Sequence, residues 1–214
     1  MESSPAALQV IADMEATYAA MRSYADTGVV HMYNRDEKEP DEIRFDTAYV
    51  RPNHLRFAWV SHHPYRPLRH IEWHSVIWSN HSGAFAWHRH NNEGTSQTRE
   101  ESMPMVIAGA TGVSAGAAHT VTNLLLPPSG DFSFRELEKL HIVGIEEIDG
   151  VKCHYLFGMH PEFGTHELWV GIDDHLLRKT RDFVGGDPCE QFRRAIRINV
   201  DIPIESFVGP PGNS

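Results

Sequence analysis

Apolar and polar residues alternate with two different periods along this chain. Between residues 6 and 21, apolar side chains recur every three or four positions, which predicts an amphipathic helix. From about residue 26 onward the period shortens to two, which is typical of strands with one buried face. The pattern therefore predicts one helix that leads directly into a large sheet.

About ten segments have strand character, and turn residues such as Gly, Pro, Asn and Asp separate them. The sharpest hairpin is Glu147–Val151, where an Asp-Gly turn joins two apolar segments. No helices alternate with the strands, so the pattern favours an antiparallel meander in an open or partly closed barrel. The predicted strands lie near residues 26–34, 41–50, 54–62, 69–78, 83–91, 139–147, 151–160, 165–172, 175–184 and 190–199.

The segment Met103–Leu126 interrupts the strands with small and apolar residues. It predicts two short helices joined by a glycine-rich turn, which would cross the sheet as a plug or lid. Small residues allow a close approach to the sheet, and glycines allow the segment to move. A crossover with a purely structural role explains the same residues equally well.

The composition narrows the class of protein. A chain of 214 residues favours one domain over 1–214, with a frayed tail at 208–214. The net charge of −10 argues against nucleic-acid binding, which normally requires a basic face. No apolar run approaches the roughly 20 residues that span a bilayer, so stable membrane insertion is not expected.

Compartment and redox state are less constrained by the sequence. Residues 1–5 have neither the basic nor the apolar part of a signal peptide, so a cytoplasmic location is expected, or an exported one if this is a mature form. Free thiols are favoured for Cys153 and Cys189. A disulfide between them stays open if their two strands are neighbours.

Three phrases spread over nearly the whole chain indicate a family. They are Thr17–Tyr24 running into Gly28–Val30, then Phe45–Phe57, and finally Asn199–Phe207 followed by two prolines. In these phrases the chain resembles the LolA/LolB-like superfamily of lipoprotein carriers and periplasmic lipid-binding proteins. The resemblance implies an α+β fold in which helices close the concave face of a curved antiparallel half-barrel around an apolar cavity. Family members bind acyl chains or other hydrophobic molecules, and a few have become enzymes.

Aromatic and flexible apolar residues supply the candidate lining of such a cavity. Residues of the strand 54–62 alternate with polar neighbours, and the next two strands are expected to continue the same surface. Methionines of the middle segment would adapt to varied guests. An ordinary filled core explains most of the same residues. The predicted ligand-binding residues are Phe57, Trp59, Trp73, Ile77, Phe85, Trp87, Met103 and Met105.

A second candidate site is a cluster of histidine and glutamate in the hairpin 69–91. If its turn centres on His81, then His74 faces His88 and Glu72 faces His90. Side chains directly opposite each other in a sheet are close enough to share Zn²⁺ or another divalent metal. A solvated polar stripe on the outside of the sheet predicts the same alternation. Apart from this metal, no cofactor is expected.

The sequence patterns that could indicate catalysis are less specific than those of the two candidate sites. Gly112–Gly116 matches the G-x-S-x-G pattern, with His119 nearby, but that motif requires a strand–turn–helix in a mostly parallel sheet. A flexible turn of small residues is the simpler interpretation. Glu72 beside His74 or His88, or Glu167 beside His166, would serve as a general base only if buried.

Three hypotheses of function follow from these patterns. The first is binding or carrying of a hydrophobic molecule or acyl chain in the concave face. The second is an enzyme that has adopted the cavity, with or without the metal. The third is an interaction module whose core is filled. The ligand and the oligomeric state stay open.

Overall fold

The architecture is a single curved sheet with helices on its concave side. The structure is a computed structural model, and it describes residues 2–33, 39–63, 66–90, 94–126, 133–184 and 186–210. Within these ranges the chain forms eleven antiparallel strands in one unclosed sheet, one long N-terminal helix and three shorter helices. The α+β half-barrel predicted from the sequence is confirmed.

The N-terminal helix α1 spans Pro5–Ala20 and begins with proline, whose fixed φ suits the first helical turn. Its buried face consists of Ala7, Val10, Ile11, Met14 and Tyr18, which recur at helical spacing. Leu8, another apolar residue of this segment, is 43% exposed. The buried stripe of the helix therefore does not include every apolar residue of the predicted segment.

Eleven strands follow, and each pairs with its neighbours in antiparallel fashion. The Asp149–Gly150 turn is confirmed, since both residues have the positive φ that a tight hairpin turn requires (48° and 82°). The strands are β1 (Ser23–Met32), β2 (Asp41–Val50), β3 (His54–His62), β4 (Glu72–Asn80), β5 (Gly83–His90), β6 (Gly94–Glu100), β7 (Glu138–Ile148), β8 (Val151–His160), β9 (Gly164–Gly171), β10 (Leu177–Val184) and β11 (Asp187–Ile198).

The strand order explains the position of the middle helices. In space the order runs β6-β5-β4-β3-β2-β1-β11-β10-β9-β8-β7, so β6 and β7 lie at opposite edges of the sheet. The chain between them must travel from one edge to the other, and it crosses the concave face as α2 (Met103–Val113), α3 (Ala117–Thr120) and α4 (Thr122–Leu125). The predicted helical crossing is confirmed, with three short helices where two were expected.

Bulges bend the sheet. The register between β1 and β11 shifts between Ala25 and Thr27, and Ala195 on the partner strand has a φ of 48°. Further shifts occur between β9 and β10 and twice between β7 and β8. An extra residue in one strand increases the local twist and curvature, which gives the sheet its concave side.

A buried ion pair lies at the centre of the concave face. Asp26 on β1 accepts hydrogen bonds from Arg193 Nη1 and from the Tyr24 hydroxyl, both at 2.6 Å. Arg193 also donates to the carbonyl of Ala117, which ties α3 to the sheet. The Arg193 and Asp26 side chains are 2% and 0% exposed. Such a pair is costly to bury alone and stable only with these partners.

Other sequence predictions need correction. The strand β6 was missed because its residues, Gly-Thr-Ser-Gln-Thr-Arg-Glu, include no apolar side chain and therefore no alternation. The tail is packed at Gly209, which lies against the Trp78 ring, whereas residues 211–214 lie outside the described part of the chain. By contrast, the favoured prediction of free thiols agrees with the structure, since Cys153 and Cys189 are buried free thiols on β8 and β11 with two strands between them.

In the described ranges, no helix is both long and apolar enough to span a bilayer.

Candidate ligand-binding site

Two cavities flank α2 at one end of the concave face. One has a volume of about 440 Å³ and lies over β9, β10 and β11, with Thr111 of α2 in its wall. The other has a volume of about 410 Å³ and lies over β1 to β5, with Gly109 and Val113 of α2 in its wall. They are neighbours, because β1 pairs with β11 through Met32 and Cys189 at this end of the sheet.

The cavity over β1 to β5 is called the tryptophan cavity here, after Trp59 and Trp73 in its wall. Strand alternation places Trp59 beside the core, where it packs edge-on against His88 at 5.8 Å between ring centroids. The His88 ring is hydrogen-bonded to the Ser75 hydroxyl at 2.9 Å. The wall therefore combines large aromatic surfaces with a few polar groups, as is common in small-molecule sites.

The cavity over β9 to β11 is called the polar cavity, because several polar side chains from these strands face it. Thr180 on β10 lies opposite Gln191 on β11, and Asp182 lies opposite Cys189. The Gln191 side chain donates to the carbonyl of Ala115 and accepts from Thr120, so it is satisfied by the middle helices. These contacts leave Thr180 and Asp182 facing the cavity.

Burial shifts three titrations around the polar cavity. It raises the pKa of Asp182 from 3.8 to about 6, against a smaller opposing effect of the Cys189 hydrogen bond. It also raises the pKa of the Cys189 thiol, and the neighbouring Asp182 carboxylate adds to that rise. For His166, burial and then the nearby His160 lower the pKa from 6.5 to about 4. At neutral pH the cavity therefore holds a carboxylate and a neutral imidazole.

The eight predicted ligand-binding residues do not share one surface. Trp59 and Trp73 line the tryptophan cavity, and Phe57 and Ile77 belong to the core between sheet and helices. Met103 packs against that core, and the Ser79 hydroxyl donates to its sulfur at 2.9 Å. Met105 is 55% exposed. That these residues bind a ligand stays a prediction.

Phe85 and Trp87 lie on the convex face, which corrects the predicted continuous surface. The turn pairs Asn80 with Gly83, so Trp78 is opposite Phe85 and their rings stack at 5.2 Å. The predicted turn centred on His81 differs by one residue, and a shift of one residue moves every side chain to the other face. Together with Val76 these aromatic residues form a second cluster outside the cavity.

The same register separates two of the predicted metal ligands. His74 lies opposite Arg89, and His88 lies opposite Ser75 on the other face. Glu72 accepts a hydrogen bond from Arg44 at 2.6 Å, and the His90 side chain lies outside the described residues. No group of three or more His, Cys, Asp or Glu that could hold a metal ion occurs in the part of the chain that the structure describes. The zinc prediction is therefore not supported.

The catalytic motifs also have structural explanations. Ser114 is fully buried at the end of α2, where its hydroxyl accepts from the amide of Ala118 at 3.2 Å, so it caps a turn and is no nucleophile elbow. His119 is hydrogen-bonded to Asn123. His166 and Glu167 point to opposite faces of β9, and Glu167 accepts from the Tyr155 hydroxyl at 2.8 Å. They form no acid–base pair.

Sequence reasoning missed Thr180 and Asp182. Their signal is weak but present, since both occupy alternate positions of β10, two and four residues after Arg178. A polar residue on the core side of a strand suggests a site or a buried network, but only the pairing with β11 identifies that side. From the sequence of Lys179–Phe183 alone, Thr180 and Asp182 could lie on either face of the sheet.

Known structures share this fold at low sequence identity. LprF from Mycobacterium bovis matches with a TM-score of 0.57 and 12% identity, over 95% of this chain and 98% of that one. Lipoprotein LppX from Mycobacterium tuberculosis matches with a TM-score of 0.53 and 13% identity, over 94% and 100% of the two chains. An uncharacterized conserved protein from Thermus thermophilus matches with a TM-score of 0.52 and 10% identity, over 97% and 96%.

No protein-family model and no curated protein matches the sequence. The likeness to the solved structures, together with the half-barrel and its crossing helices, shows that this chain has a LolA-like fold, as the resemblance implied.

Proposed function

We propose that this protein binds or carries a hydrophobic small molecule on its concave face, between the sheet and α2. The observation that carries the proposal is the pair of adjacent cavities of about 440 and 410 Å³ on either side of that helix. Ligand sites of small molecules typically have volumes of about 300–1,000 Å³. The family resemblance supports the same kind of guest, an acyl chain or another apolar molecule.

The composition of the walls supports an apolar guest. Trp59, Trp73 and Ile43 line one cavity, and Phe134, Phe163 and Phe183 line the other. Transfer of a methylene group from water into such surroundings stabilises a complex by about 0.8 kcal/mol. A chain of several methylene groups therefore supplies useful affinity without any charged contact.

The test is a titration of the purified full chain with Nile red, a neutral apolar dye. Gly109 faces the tryptophan cavity, and a Cβ at this position would meet no atom within 4 Å. Gly109→Phe therefore fills that cavity, and Thr111→Trp fills the polar cavity. We expect the double variant to bind the dye at least about tenfold more weakly than the wild type, which corresponds to roughly 1.4 kcal/mol.

Gly112→Phe is the matched control, because Gly112 lies on the same helix, has equally open surroundings and lines neither cavity. It should bind Nile red like the wild type. A wild-type protein that binds no dye would contradict the proposal and favour an interaction module with a filled core. Equal binding by the double variant would show that the dye binds elsewhere.

A further inference from the structure

Two polar atoms at the polar cavity have no hydrogen-bond partner among the described residues. They are Oδ1 of Asp182 and the hydroxyl of Thr180, which come from alternate positions of β10 and so share one face of the sheet. Thr180 is 5% exposed, so its hydroxyl is shielded from bulk water. Buried polar groups are almost always paired, so these two atoms are available to accept a hydrogen bond from a molecule in the cavity or to donate one to it.

The groups around Asp182 are neutral or acidic. On β11 the Cys189 thiol is hydrogen-bonded to the carboxylate, and it is neutral because burial raises its pKa. On β9 His166 is neutral at pH 7, since burial lowers its pKa to about 4. Glu162 adds a second acid to the wall. None of the described residues that line this cavity is Lys or Arg.

A partly buried carboxylate without a cation is an expensive arrangement, because desolvation disfavours the charge and the Cys189 hydrogen bond compensates it only in part. A guest with a protonated amine would supply both the missing charge and several N–H donors. Charge-assisted hydrogen bonds of this kind are about twice as strong as neutral ones. A guest with a carboxylate or phosphate would instead be repelled by Asp182 and Glu162.

The apolar part of the cavity completes the site. Phe134 and Phe163 lie in the same wall as Asp182, so a guest anchored at the carboxylate would place its chain against these rings. Resting on the proposed apolar binding, we infer that the polar cavity selects amphiphiles with a cationic amine headgroup, held by the Asp182 carboxylate and the Thr180 hydroxyl. Selection would act on the headgroup, whereas the chain would provide most of the affinity.

The test compares three guests with the same chain and different headgroups: dodecylamine, dodecanol and dodecanoate. Each displaces Nile red from the full chain at about pH 7.5, where Asp182 is ionised and the amine is protonated. We expect the amine to displace the dye at a concentration about tenfold lower than the alcohol, with the carboxylate weakest. Asp182→Asn should remove the advantage of the amine over the alcohol.

Asp201→Asn is the matched control, since it removes the same charge from a side chain that is 99% exposed. It should keep the preference for the amine, which separates a site effect from attraction to an acidic protein. Equal displacement by the three guests, or an amine preference that survives Asp182→Asn, would overturn the inference while leaving apolar binding intact. A wild type that binds no Nile red would overturn the proposed function and the inference together.

A second measurement does not depend on a variant that folds. The carboxyl ¹³C resonance of Asp182 in the wild type should titrate at lower pH when dodecylamine is bound than when dodecanol is bound, because a nearby cation favours the ionised form. Identical titrations with the two guests would contradict the inference.

Discussion

Two carboxylates on the concave side of the sheet differ in whether a cation neutralises them. Asp26 at the centre of the sheet accepts hydrogen bonds from Arg193 and Tyr24. Asp182 at the end of the sheet has the Cys189 thiol and no Lys or Arg among the described residues that line its cavity. Oδ1 lacks a partner in both residues, so the contrast lies in the charge.

This difference separates a structural role from a binding role. The central carboxylate is neutralised within the fold, and its partner Arg193 also holds α3 through the carbonyl of Ala117. The carboxylate at the cavity is left for something outside the fold to neutralise. The centre should therefore control stability, whereas the end of the sheet should control what binds.

The largest expected effect comes from breaking the central pair. Arg193→Met leaves Asp26 as an uncompensated buried charge and should lower the free energy of unfolding by about 3–5 kcal/mol, measured by urea denaturation. Asp182→Asn, which removes a carboxylate without a cation, should cost no stability at neutral pH. Similar losses for the two variants would remove the contrast between the two regions.

Alanine substitutions at two glycines should change stability by smaller amounts and in opposite directions. Gly28 lies beneath Phe45, and the Phe45 ring in turn lies 4.9 Å from the Arg193 guanidinium, so a Cβ at Gly28 would collide with Phe45 and with the backbone of Phe192. Gly28→Ala should cost about 1–3 kcal/mol by overpacking. At Gly109 a Cβ meets no atom, and Gly109→Ala should stabilise α2 by about 0.5–1 kcal/mol. Thermal unfolding of the two variants measures both changes in stability. A loss of stability in Gly109→Ala would contradict the open space at this position.

The pH dependence of stability gives an effect comparable in size with that of Gly28→Ala. Folding raises the pKa of Asp182 from 3.8 to about 6, so the folded state holds its proton more tightly and stability falls as pH rises through this range. Asp182→Asn lacks this loss. Its stability relative to the wild type should therefore rise by roughly 1–3 kcal/mol between about pH 4 and 6 and stay level above.

His166 should show the opposite sign in the same experiment. Its pKa falls from 6.5 to about 4 on folding, so the wild type loses stability as pH falls through that range. His166→Gln should therefore gain stability relative to the wild type at low pH. A difference that does not change with pH for either variant would contradict the burial of these groups.

The sequence predicted the architecture well because alternation and turns are local. The strands β1 to β5 and β7 to β11, the helix α1 and the Asp149–Gly150 hairpin follow from such patterns. The edge strand β6 was invisible, since an exposed polar strand has no alternation.

The candidate site was harder to predict, because it depends on register and on distant pairing. A one-residue difference in the turn at Asn80–Gly83 moved Phe85 and Trp87 to the convex face and separated His74 from His88. Asp182 can be identified as a site residue only from its position opposite Cys189 on the neighbouring strand and from the cavity that it shares with α2. Local patterns do not contain these long-range contacts.

The most direct test of apolar binding is native mass spectrometry of the full chain, as purified and after incubation with dodecylamine. We expect a complex with one guest, either co-purified or added, that is lost on denaturation and absent from the Gly109→Phe/Thr111→Trp double variant. A bare protein mass in both conditions, or an identical complex with the filled variant, would contradict the claim that the two cavities beside α2 form the binding site.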